Sequence, residues 1–200
     1  SGLTVGDGDA FSMLYGAQPS FTVTNRALRG AHNLQNAMAA AMLAKLAGID
    51  DEAIQRGLDR YPGLPHRLEL LRELDGVEWI NDSKATNVDS ALVALKALPG
   101  RIWLIAGGKG KGAPYAPMVE AARGKVLGVL TIGQDAEAIA AAFGACPIHR
   151  CGTLGAAVAR ARTLCQRGDL VLLSPACASY DQFDNFEHRG DSFKALVKAL

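Results

Sequence analysis

The chain has 200 residues, of which 49% are hydrophobic and 20% are charged, a composition typical of a globular protein with a substantial core. Its 21 lysines and arginines balance 20 acidic residues, which excludes a generally basic nucleic-acid binder but not a local basic site. No uncharged stretch has the ~18 apolar residues of a membrane span, and no basic segment followed by an apolar one marks a signal peptide.

The first 63 residues are predicted to contain one short strand and two helices. Residues 20–24 have the β-branched and aromatic content of a strand. The alanine- and leucine-rich stretch from Asn33 to Ala47 predicts a helix that ends at Gly48, and a second helix follows an aspartate cap at 50 or 51 and reaches about Arg60. The Pro-Gly-Leu-Pro sequence at 62–65 interrupts these patterns, so we place a domain boundary there, with domains at 1–63 and 64–200.

Residues 64–200 alternate between strand-like and helix-like segments. Residues 67–74 and 77–80 are predicted strands joined by Asp75-Gly76, a dipeptide typical of a hairpin turn. Short apolar runs with the composition of doubly buried parallel strands lie at 102–106, 126–132 and 170–173. Predicted helices lie at 88–98, 117–123, 136–143, 154–165 and 187–200. This order predicts an α/β fold with a doubly wound, mostly parallel, Rossmann-like sheet, in which ligands bind beyond the carboxyl ends of the strands.

A polar cluster follows the predicted strand at 77–80, with the sequence Asn81-Asp82-Ser83-Lys84-Ala85-Thr86-Asn87. Thr86 or Asn87 is typical of a helix N-cap, and a capped strand-to-helix turn is one interpretation of the whole cluster. That interpretation does not explain why Asp82 and Lys84 occur together. In a binding site, Lys84 would attract an anionic substrate and Asp82 would accept hydrogen bonds from ribose hydroxyls.

A glycine- and lysine-rich segment follows the predicted strand at 102–106, with the sequence Gly107-Gly108-Lys109-Gly110-Lys111-Gly112. Glycines allow the backbone to approach a ligand closely, and the two lysines add positive charge. The segment is not a Walker A loop, because the residue after Lys111 is glycine, and it departs from G-x-G-x-x-G at Ala113. We interpret it as an anion-binding loop of unspecified kind, with a flexible turn as the alternative.

The segment from Ser174 to Gly190, after the last predicted strand, runs through small residues and then aromatic ones. Cys177 within it is interpreted as a small buried residue, because no histidine lies at a spacing diagnostic of a nucleophile. The four cysteines show no CxxC spacing, so we expect reduced cytosolic thiols rather than a metal site or disulfides.

A fourth group of polar residues is split across the predicted boundary. Asn33 and Asn36 lie one turn apart on the same predicted helix, although Asn33 alone is also compatible with an N-cap. His66 alone is compatible with a turn residue. Arg67 is the better candidate for a phosphate ligand, because a guanidinium group binds phosphate bidentately.

Five segments, taken in chain order, together resemble the Mur ligases, and within that family the members that add D-glutamate. The resemblance runs from Gly30 to the C-terminus. Its specific part is the string Asp82–Asn87, because sister ligases and folylpolyglutamate synthases carry a histidine-containing motif at that place. The matching segments are Gly30–Ala37, Gly63–Arg67, Asn81–Asn87, Ala106–Lys111 and Leu173–Phe183.

The resemblance implies a monomeric enzyme of the bacterial cytoplasm that adds D-glutamate to UDP-N-acetylmuramoyl-L-alanine in peptidoglycan synthesis, with no nucleic-acid or membrane partner. In the family, ATP with Mg²⁺ phosphorylates the acceptor carboxylate to an acyl phosphate, the amine of D-glutamate attacks, and phosphate leaves. No nucleophile of the enzyme is needed, so no residue is assigned as catalytic. Such chemistry depends on positioning and on charge neutralisation.

The resemblance also implies roles for individual residues. Asn33 and Asn36 would contact the adenine end of ATP, while His66 and Arg67 would reach the nucleotide from the boundary, with Arg67 near the phosphates. Asp82 would hold ribose hydroxyls. The residues expected to bind D-glutamate are Lys84, Thr86, Lys111, Ser179 and Phe186.

Several family features are not found in this sequence. The family has three domains, and the UDP-binding domain, the P-loop, the carbamylated lysine and the Mg²⁺ ligands of the central domain have no counterpart here. Because the chain starts at Ser1 rather than at methionine, we expect a processed or truncated form. Residues 1–63 would be the tail of the central ATP-binding domain and 64–200 the C-terminal, D-glutamate-binding domain, so the chain alone is expected to be inactive.

A non-catalytic nucleotide- or amino-acid-binding module is one alternative. Another amide ligase, such as a folylpolyglutamate synthase, is the other, and the Asp-Ser-Lys string argues against it.

Overall fold

The computed structural model of the protein describes residues 3–5, 10–13 and 21–200, with side chains described from Phe21 onward. Ser20 of the predicted first strand lies outside these residues. The chain divides between Gly63 and Leu64 into two compact units. No helix among the described residues is long and apolar enough to cross a bilayer.

The first unit combines a small antiparallel sheet with two helices. The sheet has the order β1-β2-β3, formed by Leu3–Val5, Ala10–Met13 and Phe21–Thr22. A short 3-10 helix, Arg26–Leu28, precedes α1 (Ala31–Leu46) and α2 (Asp51–Arg60). Asp50 caps α2, its carboxylate accepting a hydrogen bond from the backbone N–H of Ala53 at 2.7 Å. The apolar faces of β3, α1 and α2 pack on one another around Phe21, Met38 and Ile54.

The N-cap interpretation of Asn33 is wrong. Helix α1 begins two residues earlier than expected, with Gly30 as its N-cap residue at φ 89°. Asn33 therefore lies in the first turn, where its side-chain amide donates to the carbonyl of Arg29 at 3.0 Å. A glycine cap carries no side chain to signal a helix start, which is why the sequence pattern placed the start too late.

The second unit is a six-stranded sheet covered by helices on both faces. Its strands are β4 (Glu69–Leu74), β5 (Val77–Asn81), β6 (Ile102–Gly107), β7 (Val126–Ile132), β8 (Ile148–Gly152) and β9 (Leu170–Leu173), in the order β4-β5-β9-β6-β7-β8. Its helices are α3 (Val88–Ala97), α4 (Ala116–Ala122), α5 (Ala136–Ala142), α6 (Leu154–Leu164) and α7 (Phe186–Lys198). β4 runs antiparallel to β5 and the other pairs are parallel, so the predicted α/β class is confirmed.

Two separate apolar cores lie on the two faces of this sheet. Side chains of β6 alternate between them, Leu104 facing the core under α3, α4 and α5 while Ile105 faces the core under α6 and α7. The central strands are apolar at nearly every position because both of their faces are covered. This is the reason that their short apolar runs could be recognised in the sequence.

The hairpin at Asp75-Gly76 has the geometry that the dipeptide predicts. Both residues have positive φ, 53° and 78°, and Leu74 pairs with Val77 across the turn. This is the pattern of a two-residue turn whose twist matches that of the strands. The first strand starts at Glu69 rather than at 67, because Leu68 has a left-handed φ of 44° that no strand residue adopts.

Strand β8 was not predicted from the sequence. It pairs with β7 on one side and forms the edge of the sheet, so its side chains are half-exposed or exposed. The sequence Ile-His-Arg-Cys-Gly therefore has neither an apolar run nor a regular alternation. An edge strand of this kind is held in place by its backbone pairing, which composition does not reveal.

A buried carboxylate joins two strands at the amino edge of the sheet. Asp169 is 2% exposed and precedes β9. Its oxygens accept hydrogen bonds from Arg101 Nε at 2.8 Å, from the Trp103 indole N–H at 3.0 Å and from the backbone N–H of Gln166 at 2.9 Å. The contact aligns the start of β9 with the start of β6.

Replacing Asp169 by alanine should therefore destabilise the second unit. The change leaves the Trp103 and Gln166 donors without their acceptor, at a cost of about 2–4 kcal/mol in the free energy of unfolding. Urea unfolding followed by tryptophan fluorescence measures this unit, because both tryptophans, Trp79 and Trp103, belong to it. Glu73→Ala, at an exposed position of β4, is the control and should cost less than about 0.5 kcal/mol. Equal midpoints for the two variants would contradict the role given to Asp169.

Candidate functional site

Four loops leave the sheet at the carboxyl ends of its parallel strands and form the candidate site. They are residues 82–87 after β5, 108–115 after β6, 133–135 after β7 and 174–185 after β9. Because β9 lies between β5 and β6 and the three strands are parallel, loop 174–185 leaves the sheet between loops 82–87 and 108–115. Most of the residues singled out in the sequence of this unit lie in these loops.

The structure brings together two of the residues predicted to bind D-glutamate. The ammonium group of Lys84 lies 3.7 Å from the centroid of the Phe186 ring. Phe186 is the first residue of α7, and its carbonyl accepts a hydrogen bond from the hydroxyl of Ser83 at 2.8 Å. A cation held over an aromatic face keeps its charge available on the other side for an anion.

The cap interpretation of the 81–87 cluster explains one residue of it. Asn87 is the N-cap of α3, its side-chain oxygen accepting from the backbone N–H of Ser90 at 2.8 Å. Thr86 does not take that position, and its half-buried side chain belongs to the loop. The backbone of Lys84 is held by a hydrogen bond from its N–H to the carbonyl of His66 at 3.0 Å.

Asp82 links two of the loops through a buried carboxyl group that is 7% exposed. One oxygen accepts from the backbone N–H of Leu68 at 3.2 Å and the other from the hydroxyl of Ser174 at 2.8 Å. Burial raises the pKa of Asp82 to about 7, although these hydrogen bonds and the charge of Arg67 act in the opposite direction. A carboxylate oxygen has two acceptor sites, so each oxygen keeps capacity for another donor.

His66 lies in a turn closed by a hydrogen bond from the backbone N–H of Arg67 to the carbonyl of Leu64 at 3.2 Å, and its side chain is buried, with 7% exposed. Its ring is 3.1 Å from the amide nitrogen of Asn81 and packs edge-on against Phe186, with the ring centroids 5.9 Å apart. The ring also occupies the space beside Gly190, where an added Cβ would lie 2.1 Å from it. His66 thus shares Phe186 with Lys84, while the neighbouring Arg67 is exposed.

The glycine segment after β6 is joined at its start to the loop after β9. Lys109 pairs with Ala178 through two backbone hydrogen bonds, of 2.9 and 3.0 Å. Gly108 has φ 130°, and a Cβ on it would lie 2.3 Å from the carbonyl oxygen of Ala178. Lys111 follows at an exposed position. A side chain at 108 would therefore separate the two loops.

A buried tyrosine at the end of the same loop connects it to the loops after β7 and β9. The hydroxyl of Tyr115 lies 2.8 Å from a carboxylate oxygen of Asp135 and 3.2 Å from the sulfur of Cys177. A Cβ on Gly110 would overlap this pair of oxygens. Burial raises the pKa of the Cys177 thiol to about 11, so this cysteine is protonated at neutral pH, in agreement with its interpretation as a small buried residue rather than a nucleophile.

The loop after β9 is also held by contacts with the loop after β7 and with the end of β8. Ser179 is buried, and its carbonyl accepts from the backbone N–H of Phe183 at 2.8 Å, which starts a tight turn. Asp181 accepts from the backbone N–H of Gln134 at 2.9 Å, and the Gln182 side chain donates to the carbonyl of Gly152 at 2.7 Å. These contacts define the backbone on which Ser179 is carried.

Arg189 is a residue of the site that sequence reasoning missed. It lies in the first turns of α7 and is 1% exposed. Its guanidinium group donates to the hydroxyl of Ser83 at 2.9 Å, to the carbonyl of Ser83 at 2.8 Å and to the carbonyl of Cys177 at 3.1 Å. Burial lowers its pKa to about 10, which leaves it charged at neutral pH. An arginine next to glycine in a polar helix start carries no local signal of this role.

The remaining expectations concern the first unit and the metal. Asn33 and Asn36 both belong to α1, with Asn33 half-buried and Asn36 exposed. Among the residues with described side chains, 21–200, no cluster of three or more histidine, cysteine or acidic residues is arranged to hold a metal ion.

The pKa of Asp82 predicts how its replacement by asparagine depends on pH. The folded protein keeps a proton that the unfolded chain releases near pH 4, so stability is lost as pH rises from about 4 to about 7. Asparagine mimics the protonated group. The free energy of unfolding of Asp82→Asn, relative to the unmodified chain, should therefore rise over this range, by up to about 1.4 kcal/mol per pH unit.

Urea unfolding of both proteins at several pH values measures this difference. Asp89→Asn, at an exposed position of α3, is the matched control, and its difference from the unmodified chain should change little over the same range. Parallel stability curves for Asp82→Asn and the unmodified chain would show that the burial of Asp82 has no such effect.

Comparison with known proteins agrees with this geometry. Residues 66–177 match the family model described as Mur ligase, glutamate ligase domain. The chain is 68% identical over its whole length to the UDP-N-acetylmuramoylalanine--D-glutamate ligase of Myxococcus xanthus and 55% identical over 90% of its length to that of Anaeromyxobacter dehalogenans. It spans 44% and 40% of those two relatives, less than half of their length.

Solved structures with the same fold have much lower identity. The structure of FolC from E. coli in complex with ADP aligns with 98% of the residues of this chain and with 46% of its own residues, with a TM-score of 0.66 and 21% identity. The structure of the UDP-N-acetylmuramate-alanine ligase of Thermotoga maritima aligns with 85% of this chain and with 38% of its own residues, with a TM-score of 0.62 and 14% identity. These two show the fold, whereas the family model, which matches more than half of the chain, shows the family: the chain belongs to the Mur ligases.

Proposed function

We propose that this chain is part of an ATP-dependent ligase that adds D-glutamate to UDP-N-acetylmuramoyl-L-alanine, and that residues 64–200 supply its D-glutamate site. The observation that carries the proposal is the seating of Lys84 on the ring of Phe186, at the carboxyl ends of the parallel strands. It occurs in a chain that is 68% identical to a relative named as a D-glutamate ligase.

The loops offer the charges that a substrate with two carboxylates requires. Lys84 and Lys111 follow β5 and β6, the two strands that flank β9. The hydroxyls of Thr86 and Ser179 add uncharged donors, one from each of two loops. Ammonium and hydroxyl donors match carboxylate oxygens, and each charge-assisted hydrogen bond contributes roughly 1.5–3 kcal/mol. Two cations on separate loops would hold the two ends of one D-glutamate molecule.

The nucleotide would lie on the side of Asp82 and Arg67. The exposed guanidinium of Arg67 suits a phosphate, and Asp82 keeps acceptor capacity for ribose hydroxyls. His66 supports this side through its contact with Asn81, and Asn33 and Asn36 of α1 are proposed to contact the adenine. ATP supplies the phosphoryl group that activates the acceptor carboxylate.

The chemistry assigned to this chain is binding and orientation. Fixed loops hold the amine of D-glutamate in one place, and the lysines offset negative charge that accumulates when a carboxylate, a phosphoryl group and an amino acid meet. We assign no residue as a nucleophile or a general base. We also assign no Mg²⁺ ligand, since the described acidic residues form no suitable cluster.

The remaining assignments follow from the same proposal. Residues 1–63 would be the tail of the central ATP-binding domain and 64–200 the C-terminal domain of the enzyme. The protein would act as a monomer in the bacterial cytoplasm. A folylpolyglutamate synthase is the weaker alternative, because its support is structural likeness at 21% identity or less.

Removing the charge of Lys84 should raise the KM for D-glutamate. Lys84→Met keeps a hydrocarbon side chain on the Phe186 ring while losing the ammonium group, so the expected increase is about 10- to 100-fold. The measurement is phosphate release by the full-length protein with UDP-N-acetylmuramoyl-L-alanine, ATP and Mg²⁺, comparing D- with L-glutamate.

Lys96→Met is the matched control for this experiment. Lys96 is exposed in the last turn of α3, which starts at the carboxyl ends of the strands and runs away from them, and its loss should leave the KM unchanged. Unmodified full-length protein that releases no phosphate would instead favour a non-catalytic binding module, and phosphate release that is indifferent to D-glutamate would overturn the D-glutamate site. An equal KM in both variants would remove Lys84 from the site.

The isolated 200-residue chain should show no D-glutamate-dependent phosphate release. It has no G-x-x-x-x-G-K-[ST] sequence to hold the phosphates of ATP, so the phosphoryl donor cannot be bound as the family requires. The same assay tests this, with the full-length protein as the positive control. Turnover above background by the isolated chain would contradict the assignment of 1–63 as the tail of a larger ATP-binding domain.

A further inference from the structure

We propose that Arg189 is a positioning residue of the D-glutamate site, which aligns the three loops that carry the substrate-binding side chains. This role rests on the proposed function. Arg189 is buried and contacts three of the loops, which none of the predicted binding residues does.

The guanidinium group of Arg189 contacts a different loop on each of its sides. It donates to the hydroxyl and the carbonyl of Ser83 in loop 82–87 and to the carbonyl of Cys177 in loop 174–185. Its Nη1 also lies 3.3 Å from where a Cβ of Gly108 would be, so it packs against loop 108–115. One rigid fork therefore sets the spacing of three backbones.

Each contacted residue lies within three positions of a predicted binding residue. Ser83 precedes Lys84, Cys177 lies two residues before Ser179, and Gly108 starts the segment that leads to Lys111. Ser83 transmits the constraint further, since its hydroxyl donates to the carbonyl of Phe186 at 2.8 Å. A shift of the guanidinium group would move Lys84 relative to the Ser179 backbone, and a binding site that holds two carboxylates loses affinity when its donors separate.

The charge of Arg189 is not explained by folding. Among residues 21–200, its hydrogen-bond acceptors are a hydroxyl and two carbonyls, and no carboxylate pairs with it. The acidic residue whose charge acts on it, Asp181, forms no ion pair with it and accepts a hydrogen bond from the backbone N–H of Gln134 at 2.9 Å. A cation near the N-terminus of a helix also opposes the helix dipole. A buried cation in this place is instead suited to a site for a substrate with two carboxylates.

The test compares Arg189→Lys with Arg72→Lys in the full-length protein. Lysine keeps the charge at 189 but cannot reach Ser83 and Cys177 with one planar fork. Arg72 is the matched control, because it contacts the same helix at its other end, donating to the carbonyls of Val197 and Lys198. The readouts are the KM for D-glutamate, the KM for ATP and the thermal midpoint.

Arg189→Lys should raise the KM for D-glutamate about tenfold or more while the KM for ATP changes less than about threefold. Arg72→Lys should lower the thermal midpoint without a selective change in either KM. A proportional rise of both KM values in Arg189→Lys, or no rise, overturns the positioning role.

Ser83→Ala covers the case in which Arg189→Lys does not fold. It removes one acceptor of the fork, and an unchanged KM for D-glutamate in this variant also overturns the role.

Failure of the proposed function gives a different result from failure of this inference. Unmodified full-length protein whose phosphate release does not depend on D-glutamate overturns the function and the role of Arg189 with it. Unmodified protein that depends on D-glutamate, combined with an unchanged KM in Arg189→Lys, overturns the role alone.

Discussion

Parallel pairing of β9 between β5 and β6 is the constraint on which the candidate site depends. It brings the last strand of the chain to the centre of the sheet, so that residues 174–185 leave the sheet between residues 82–87 and 108–115. Parallel strands end at the same edge, and their loops must meet there. Residues nearly 100 positions apart in the chain become neighbours in this way.

The loops are then held by buried polar groups rather than by apolar packing. Asp82 joins loop 82–87 to Ser174, and Arg189 joins the same loop to Cys177. The paired backbones of Lys109 and Ala178 join loop 108–115 to loop 174–185. Hydrogen bonds of this kind are directional and are stronger where water is excluded, so they define loop positions more narrowly than apolar contacts do. A site that must hold two carboxylates requires such fixed donors.

The same burial limits how the site can change. Asp82 and Arg189 are both ionisable groups in places with little water, and each is held by several hydrogen bonds. Removal of one partner leaves a buried polar group without its acceptor or donor, which costs more than the lost bond contributed. Gly108 and Gly190 matter for a related reason. Their missing side chains let a carbonyl and the His66 ring come close enough to be part of these contacts.

Much of the fold was predictable because its elements have strong local signals. The hairpin at Asp75-Gly76 follows from left-handed φ values that this dipeptide adopts easily, and the central strands follow from their doubly buried positions. Strand β8 was missed because an edge strand is specified by its partner. The start of α1 was misplaced because its cap is a glycine.

The sequence by itself determined the α/β class, the positions of the polar clusters and the resemblance to the Mur ligases, since each is a property of residues close together in the chain. It named Lys84 and Phe186 as parts of one site without showing that they touch. Only the tertiary structure decided that His66 lies inside, that Cys177 is protonated and that Arg189 holds three loops. These properties depend on burial and on contacts between residues about 10 to 110 positions apart, and a local pattern carries no information about either.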